Sequence, residues 1–299
     1  MPWAFVLIWS TGFVVARLAM PHAPPFSFLS ARFALSLLCF AAWIVLTRAV
    51  WPRGKAQWGH LAVTGVLMQA GYLGGVWSAV KAGVGAGTVA LLVGLQPVLT
   101  ALWITAGGSR GASAGRVPAR QWLGLLLGFA GLAFVVWPKL GTGEVTLSNL
   151  ALAIVALLGI TVGTLYQKRY VEPCDVRTAS AVQMLAGFIV CMPLAWLEPE
   201  AIDWHVNLVA AMAWSVLVLT LGGSSLLYLL IQRGEATTVT SLLYLVPPCT
   251  ALMAWALFGE AFTPPMMLGM ALTVIGVAIV VRNPRAAPAG AAPQEEFSR

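Results

Sequence analysis

Ten long apolar runs, separated by short clusters of Gly, Pro, Arg and Glu, constrain this chain more than any other feature. They cover roughly residues 2–20, 26–47, 57–80, 84–106, 121–137, 147–166, 178–197, 208–231, 236–258 and 265–281. Each is close to the ~20 apolar residues that a helix needs to cross a bilayer. The runs are continuous rather than alternating, so they predict helices and not a β-barrel. The fold class expected is an all-α membrane protein with ten transmembrane helices. Run 2–20 lacks a basic segment ahead of it and an A-x-A-type cleavage site after it, so it reads as the first span rather than a signal peptide.

Composition excludes the main alternatives. Of 299 residues, 60% are hydrophobic and 9% charged, against about 25% charged in soluble proteins. Ten spans use about 200 positions, which leaves room for loops and a tail but no soluble domain. The net charge of +7 is a topology signal rather than a nucleic-acid footprint. Thirteen of the seventeen Lys and Arg residues fall in turns or the tail on the side of the N-terminus, among them Arg48, Arg53, Lys55, Lys168, Arg169 and Arg177. Only Lys81 and Lys139 fall in the opposite loops. That excess predicts a multi-pass protein of the cytoplasmic (inner) membrane with both termini inside. The tail 283–299, rich in Pro and Ala, reads as disordered.

The chain repeats itself. Residues 88–102 (TVALLVGLQPVLTAL) lie over 238–252 (TVTSLLYLVPPCTAL) with eight of fifteen positions identical, Pro97 over Pro247. Residues 123–136 lie over 268–281 with seven of fourteen identical. The repeat is five spans long, and an odd number inverts the second copy. The expected organisation is therefore two inverted five-helix repeats (5+5), residues 1–139 and 146–282, related by a pseudo-two-fold axis in the membrane plane.

Several motifs, in order, resemble a known family. Trp9-Ser-Thr-Gly-Phe13 precedes Pro25-Phe-Ser-Phe-Leu-Ser-Ala-Arg32-Phe33, then Ala90-Leu-Leu…Pro97-Val, Leu257-Phe-Gly-Glu260 and the Gly269/Gly276 helix. The chain resembles the EamA-type transporters of the drug/metabolite transporter superfamily over its whole length. Within it, the chain looks most like the YddG-type amino-acid exporters. The resemblance implies ten helices, a central cavity with the fifth helix of each repeat outside it, and export of amino acids, aromatic and other neutral ones, or related small metabolites.

The residues themselves narrow the chemistry. No Asp or Glu falls in the middle of a run, which argues against a buried proton relay and against tight binding of cations. There is no H-E-x-x-H and no paired carboxylate for magnesium. Cys39, Cys174, Cys191 and Cys249 lack metal-ligand spacing. The expectation is a non-enzyme with no cofactor and no metal.

The candidate path is neutral. Trp9 and Phe13 lie one turn apart in the first span, Gln69 and Tyr72 share a face of the third, and Gln96 sits in the fourth. Thr161 and Thr164 fall in the sixth, Ser224 and Tyr228 in the eighth, Thr240 and Tyr244 in the ninth. Such a lining suits zwitterions and aromatic bodies, although hydroxyls and amides also join membrane helices to one another. Pro97, Pro247 and Pro248 read as mid-span hinges that free backbone carbonyls. Arg32, inside the second span, reads either as a gate residue attracting a carboxylate or as a side chain reaching outward or to helix-end carbonyls. The second reading is preferred from sequence.

The expectation is thus a secondary transporter working by alternating access in the lipid bilayer on a small-molecule substrate. It has no nucleic-acid partner and acts as a monomer or weak homo-oligomer. A carrier of drugs or nucleosides is the nearest alternative, and a channel lies further off.

Overall fold

A computed structural model describes residues 2–103, 119–141, 143–223, 226, 245–260 and 263–281. Among them every regular element is helical. In chain order these are α1 (Pro2–Ala19), α2 (Pro25–Thr47), α3 (Lys55–Gly65), α4 (Gly74–Lys81), α5 (Ala86–Val93), α6 (Gln96–Trp103), α7 (Ala119–Gly141), α8 (Leu147–Tyr170), α9 (Val176–Trp196), α10 (Val206–Ala213), α11 (Val246–Phe258) and α12 (Pro264–Val281).

Five helical stretches are long and apolar enough to cross a bilayer: 25–47, 86–103, 122–140, 147–170 and 176–196. Four shorter apolar helices accompany them. Large apolar side chains such as Leu38, Leu46, Phe129, Ile189, Leu217 and Trp255 stand exposed on the outside. In water such a surface would be a liability; against lipid it is the expected solvent match.

Two spans contain a π-helical stretch. Val66–Leu73 joins α3 to α4, and Trp214–Gly222 continues α10. Residues at both junctions keep right-handed helical angles, so each span bulges without breaking. The two stretches occupy matching places in the two halves, their starts 148 positions apart, close to the offset of the sequence repeat. Bulges of this kind re-aim side chains and are frequent at functional sites.

The fourth run breaks in the middle. Gly94 (ψ −13°) ends α5, and Leu95 bonds back to the Leu92 carbonyl in a tight turn. Pro97 then occupies the second position of α6. Pro247 occupies the corresponding place in α11, behind the cap Leu245. Pro97 and Pro247 thus stand in the first turns of their helices. In a first turn the missing donor is one that no helix would satisfy, so neither Pro97 nor Pro247 need disrupt anything. The two starts meet: a Cβ on Gly94 would lie 2.8 Å from Pro247 Cγ.

Close backbone approach holds other pairs together. Helices α7 and α12 cross where Gly131 faces the Gly269 carbonyl, and a Cβ on Gly276 would lie 2.6 Å from the Gly124 oxygen. This is the packing that small residues allow in lipid.

On the face carrying the basic turns, Asp175 caps α9 and accepts from the Arg177 N–H (3.0 Å), Nε (2.9 Å) and Nη2 (2.6 Å). Those bonds from Arg177 hold its carboxyl below the usual carboxylate range. A lowered folded-state value stabilises the fold when the group is ionised. The contribution is full above about pH 4, declines below it, and is gone once pH has fallen through the folded value. Asp175→Ala is therefore expected to lower stability by about 1 kcal/mol at pH 7. Thermal midpoints of the two proteins should converge as the pH is taken below 3.

Candidate substrate cavity

The opposite end of the bundle is held shut by carboxylates on helix N-termini. Glu198, after α9, accepts from the Phe26 N–H (2.9 Å), the Ser27 N–H (2.8 Å) and the Ser27 hydroxyl (2.8 Å) at the start of α2. Glu260 does the same for α5 through the Ala86 N–H (3.0 Å), with Arg17 Nε 3.7 Å away. Negative charge there complements the helix dipole. Lys81 reaches Glu200 and the Met20 carbonyl. His22 pairs with Asp203 at 3.0 Å and stacks on His205. Nearly every one of these contacts joins the first half of the chain to the second.

Beneath this seal lies a cavity of about 540 Å³. Its lining comes from both halves. The first gives Trp9, Phe13, Arg32, Met68, Gln69, Tyr72 and Trp77; the second gives Gln183, Met184, Leu219 and Thr220. It extends from Arg32 to Lys168, Glu172 and Cys174 near the basic face. Both π-helical stretches supply wall residues. Among the described residues, α7 and α12 supply none.

The predicted path residues divide. Trp9, Phe13, Gln69 and Tyr72 line the cavity, as does Arg32. Gln96, Thr161 and Thr164 are absent from the wall. Gln96 Nε2 donates to Thr164 Oγ1 at 3.0 Å, while Thr164 and Thr161 donate to the carbonyls of Ile160 and Leu157. The Gln96–Thr164 bond joins α6 to α8, and both hydroxyls donate back into α8 itself, ordinary uses of such groups in lipid. Ser224, Tyr228, Thr240 and Tyr244 lie outside the described residues. Sequence reasoning missed Trp77, Gln183 and Thr220. The doubled Gly at 74–75 and at 222–223, flanking both bulges, was the available signal.

Arg32 departs from the reading preferred from sequence. It neither reaches outward nor bonds helix-end carbonyls. It is 8% exposed, donates from Nη2 to Thr220 Oγ1 at 3.2 Å, and lies 6.0 Å from the centre of the Trp77 ring. The reason is geometric: Trp77 and Thr220 meet it from α4 and the second π-helical stretch, neither of which is near it in sequence.

Apolar helices with a lipid-facing exterior and an internal cavity define a polytopic membrane protein. The chain belongs to the EamA-like transporter family, which it matches over residues 3–137 and again over 147–282. It is 25% identical to the "Uncharacterized transporter YvbV" of Bacillus subtilis (strain 168), over 96% of this chain and 92% of that protein. It is 24% identical to the "Probable amino-acid metabolite efflux pump" of Salmonella typhimurium (strain LT2), over 92% of each. A solved crystal structure, 19% identical, superposes with a TM-score of 0.65 over 94% of both chains and shares the fold. The protein is a membrane transporter.

Proposed function

We propose that the chain spans the cytoplasmic membrane ten times as two inverted five-helix repeats, 1–139 and 146–282. It exports amino acids or related small metabolites by alternating access, as a monomer or weak homo-oligomer, with both termini inside. The observation that carries this reading is the cavity walled by both halves and sealed at one end by contacts between them. Two copies that can exchange shapes would open that end and close the other. The doubled family match supports the repeat, and the name of the Salmonella relative supports the substrate class. Among the described residues the wall carries no buried carboxylate, which fits a path without an acidic proton relay. The wall also offers the aromatic rings of Trp9, Phe13, Tyr72 and Trp77, the last 6.0 Å from Arg32.

Liposomes loaded with labelled amino acids test it. The expected result is protein-dependent efflux of at least one aromatic or other neutral amino acid, faster than from protein-free liposomes. Retention of the whole panel, with and without a pH gradient, would remove amino acids from the proposal.

A further inference from the structure

The burial of Arg32 makes a demand that the described residues do not meet. Its guanidinium carries five donors in a fixed fork. Nη2 has the Thr220 hydroxyl, and Nε has no hydrogen-bond partner. No carboxylate stands within 4.0 Å of it among the described residues. The other charged wall residues, Lys168 and Glu172, are exposed near the basic face. Arg32 lies about 10 Å along the helix axis from the start of α2, beneath the Glu198 seal. A buried, underpaired cation inside a membrane is costly and calls for a partner.

We propose that Arg32 is the anion-recognition residue of this cavity and that the substrate docks on it through a carboxylate. The fork geometry suits a planar, two-oxygen acceptor better than a spherical ion. Trp77 beside it and the other aromatic rings of the cavity wall suit an apolar or aromatic body behind that carboxylate. Among the described residues no carboxylate stands within 4.0 Å of Arg32 to pair with an ammonium group docked there, so a carboxylate outranks an amine of the same shape. The inference rests on the carrier reading above, since it gives a role to a residue of the same cavity.

The test uses three probes with one body: 3-phenylpropionate, 3-phenylpropanol and 3-phenylpropylamine. Each is titrated calorimetrically into the purified full-length protein. The carboxylate should bind at least about tenfold more tightly than the alcohol, the factor that one charge-assisted hydrogen bond supplies. Arg32→Gln should erase that preference, and continued binding of the alcohol by the variant shows an intact cavity. If Arg32→Gln does not fold, Arg32→Lys decides, since it keeps the charge and loses the fork: the carboxylate preference should shrink without vanishing. An undiminished preference in Arg32→Lys or Arg32→Gln overturns the proposal. So do equal affinities in the wild-type protein, no binding of any probe, or occupancy by chloride or sulfate alone.

Amino-acid efflux without any carboxylate preference would remove Arg32 from recognition and leave export standing. A carboxylate preference without amino-acid efflux would do the reverse.

Discussion

Gly159→Val is expected to leave no properly folded protein. Gly159 sits in the middle of α8, pressed on the bulged part of the third span. A Cβ there would lie 2.8 Å from the Tyr72 nitrogen, 2.9 Å from the Leu67 oxygen and 3.1 Å from the Gly71 carbonyl carbon. All three are backbone atoms, so no rotamer change can make room. One turn up the same contact, a Cβ on Gly75 would lie 2.7 Å from both the Ala156 nitrogen and the Leu152 oxygen. The seam must part along its length or the bulge must unwind. Overpacking of this kind costs about 3 kcal/mol or more. It would also displace Gln69 and Tyr72 from the cavity wall. Purification in detergent should give aggregate in place of a monodisperse peak. Gly163→Ala, one turn along α8, is the control. Its nearest neighbours would be Met68 Cγ at 2.6 Å and Leu67 Cβ at 3.2 Å, side-chain rather than backbone atoms, so the Met68 side chain has to swing aside and the expected cost is smaller, about 1–2 kcal/mol. Equal yields of the two variants would refute the seam as a backbone contact.

Glu198→Gln is expected to unlatch the sealed end. The carboxylate holds two backbone N–H groups and one hydroxyl at the start of α2. The amide keeps the shape but loses the charge that complements the helix dipole and half of the acceptor capacity. A loss of about 1.5–3 kcal/mol follows for bonds to a charged group. Taken from the closed arrangement alone, that shifts the open population by roughly tenfold or more. The readout is modification of Gly12→Cys by a membrane-impermeant thiol reagent, in a background lacking the four native cysteines. Gly12 lines the cavity. Reagent added on the sealed side should label the Glu198→Gln protein about ten times faster than its parent. Unchanged labelling would mean that Glu198 stabilises α2 without closing the passage.

Much of the architecture could be read from the chain, because transfer into lipid is a local and nearly additive property. The apolar runs predicted at 26–47 and 178–197 are helices at Pro25–Thr47 and Val176–Trp196. Gly124, Gly131, Gly269 and Gly276 lie where α7 meets α12. The cavity was legible only in part. Trp9, Phe13, Gln69 and Tyr72 were found because short spacings fix a shared helix face. Thr161 and Thr164 were misplaced because a hydroxyl facing inward and one bonding its own helix look alike in sequence.

Composition and patterning alone determined that the chain crosses a bilayer, which ends carry the basic turns, and that one unit occurs twice. Hydrophobicity, charge and repetition are written residue by residue. The tertiary structure decided which polar groups face the passage. Each π-helical turn adds a residue and rotates everything beyond it by about 100°, and no local pattern announces that shift. It also decided that Arg32 is enclosed by Trp77 and Thr220 with donors to spare, and that Glu198 and Glu260 close one end. Those partners lie far apart in the sequence, and only the packing of helices against one another brings them within reach.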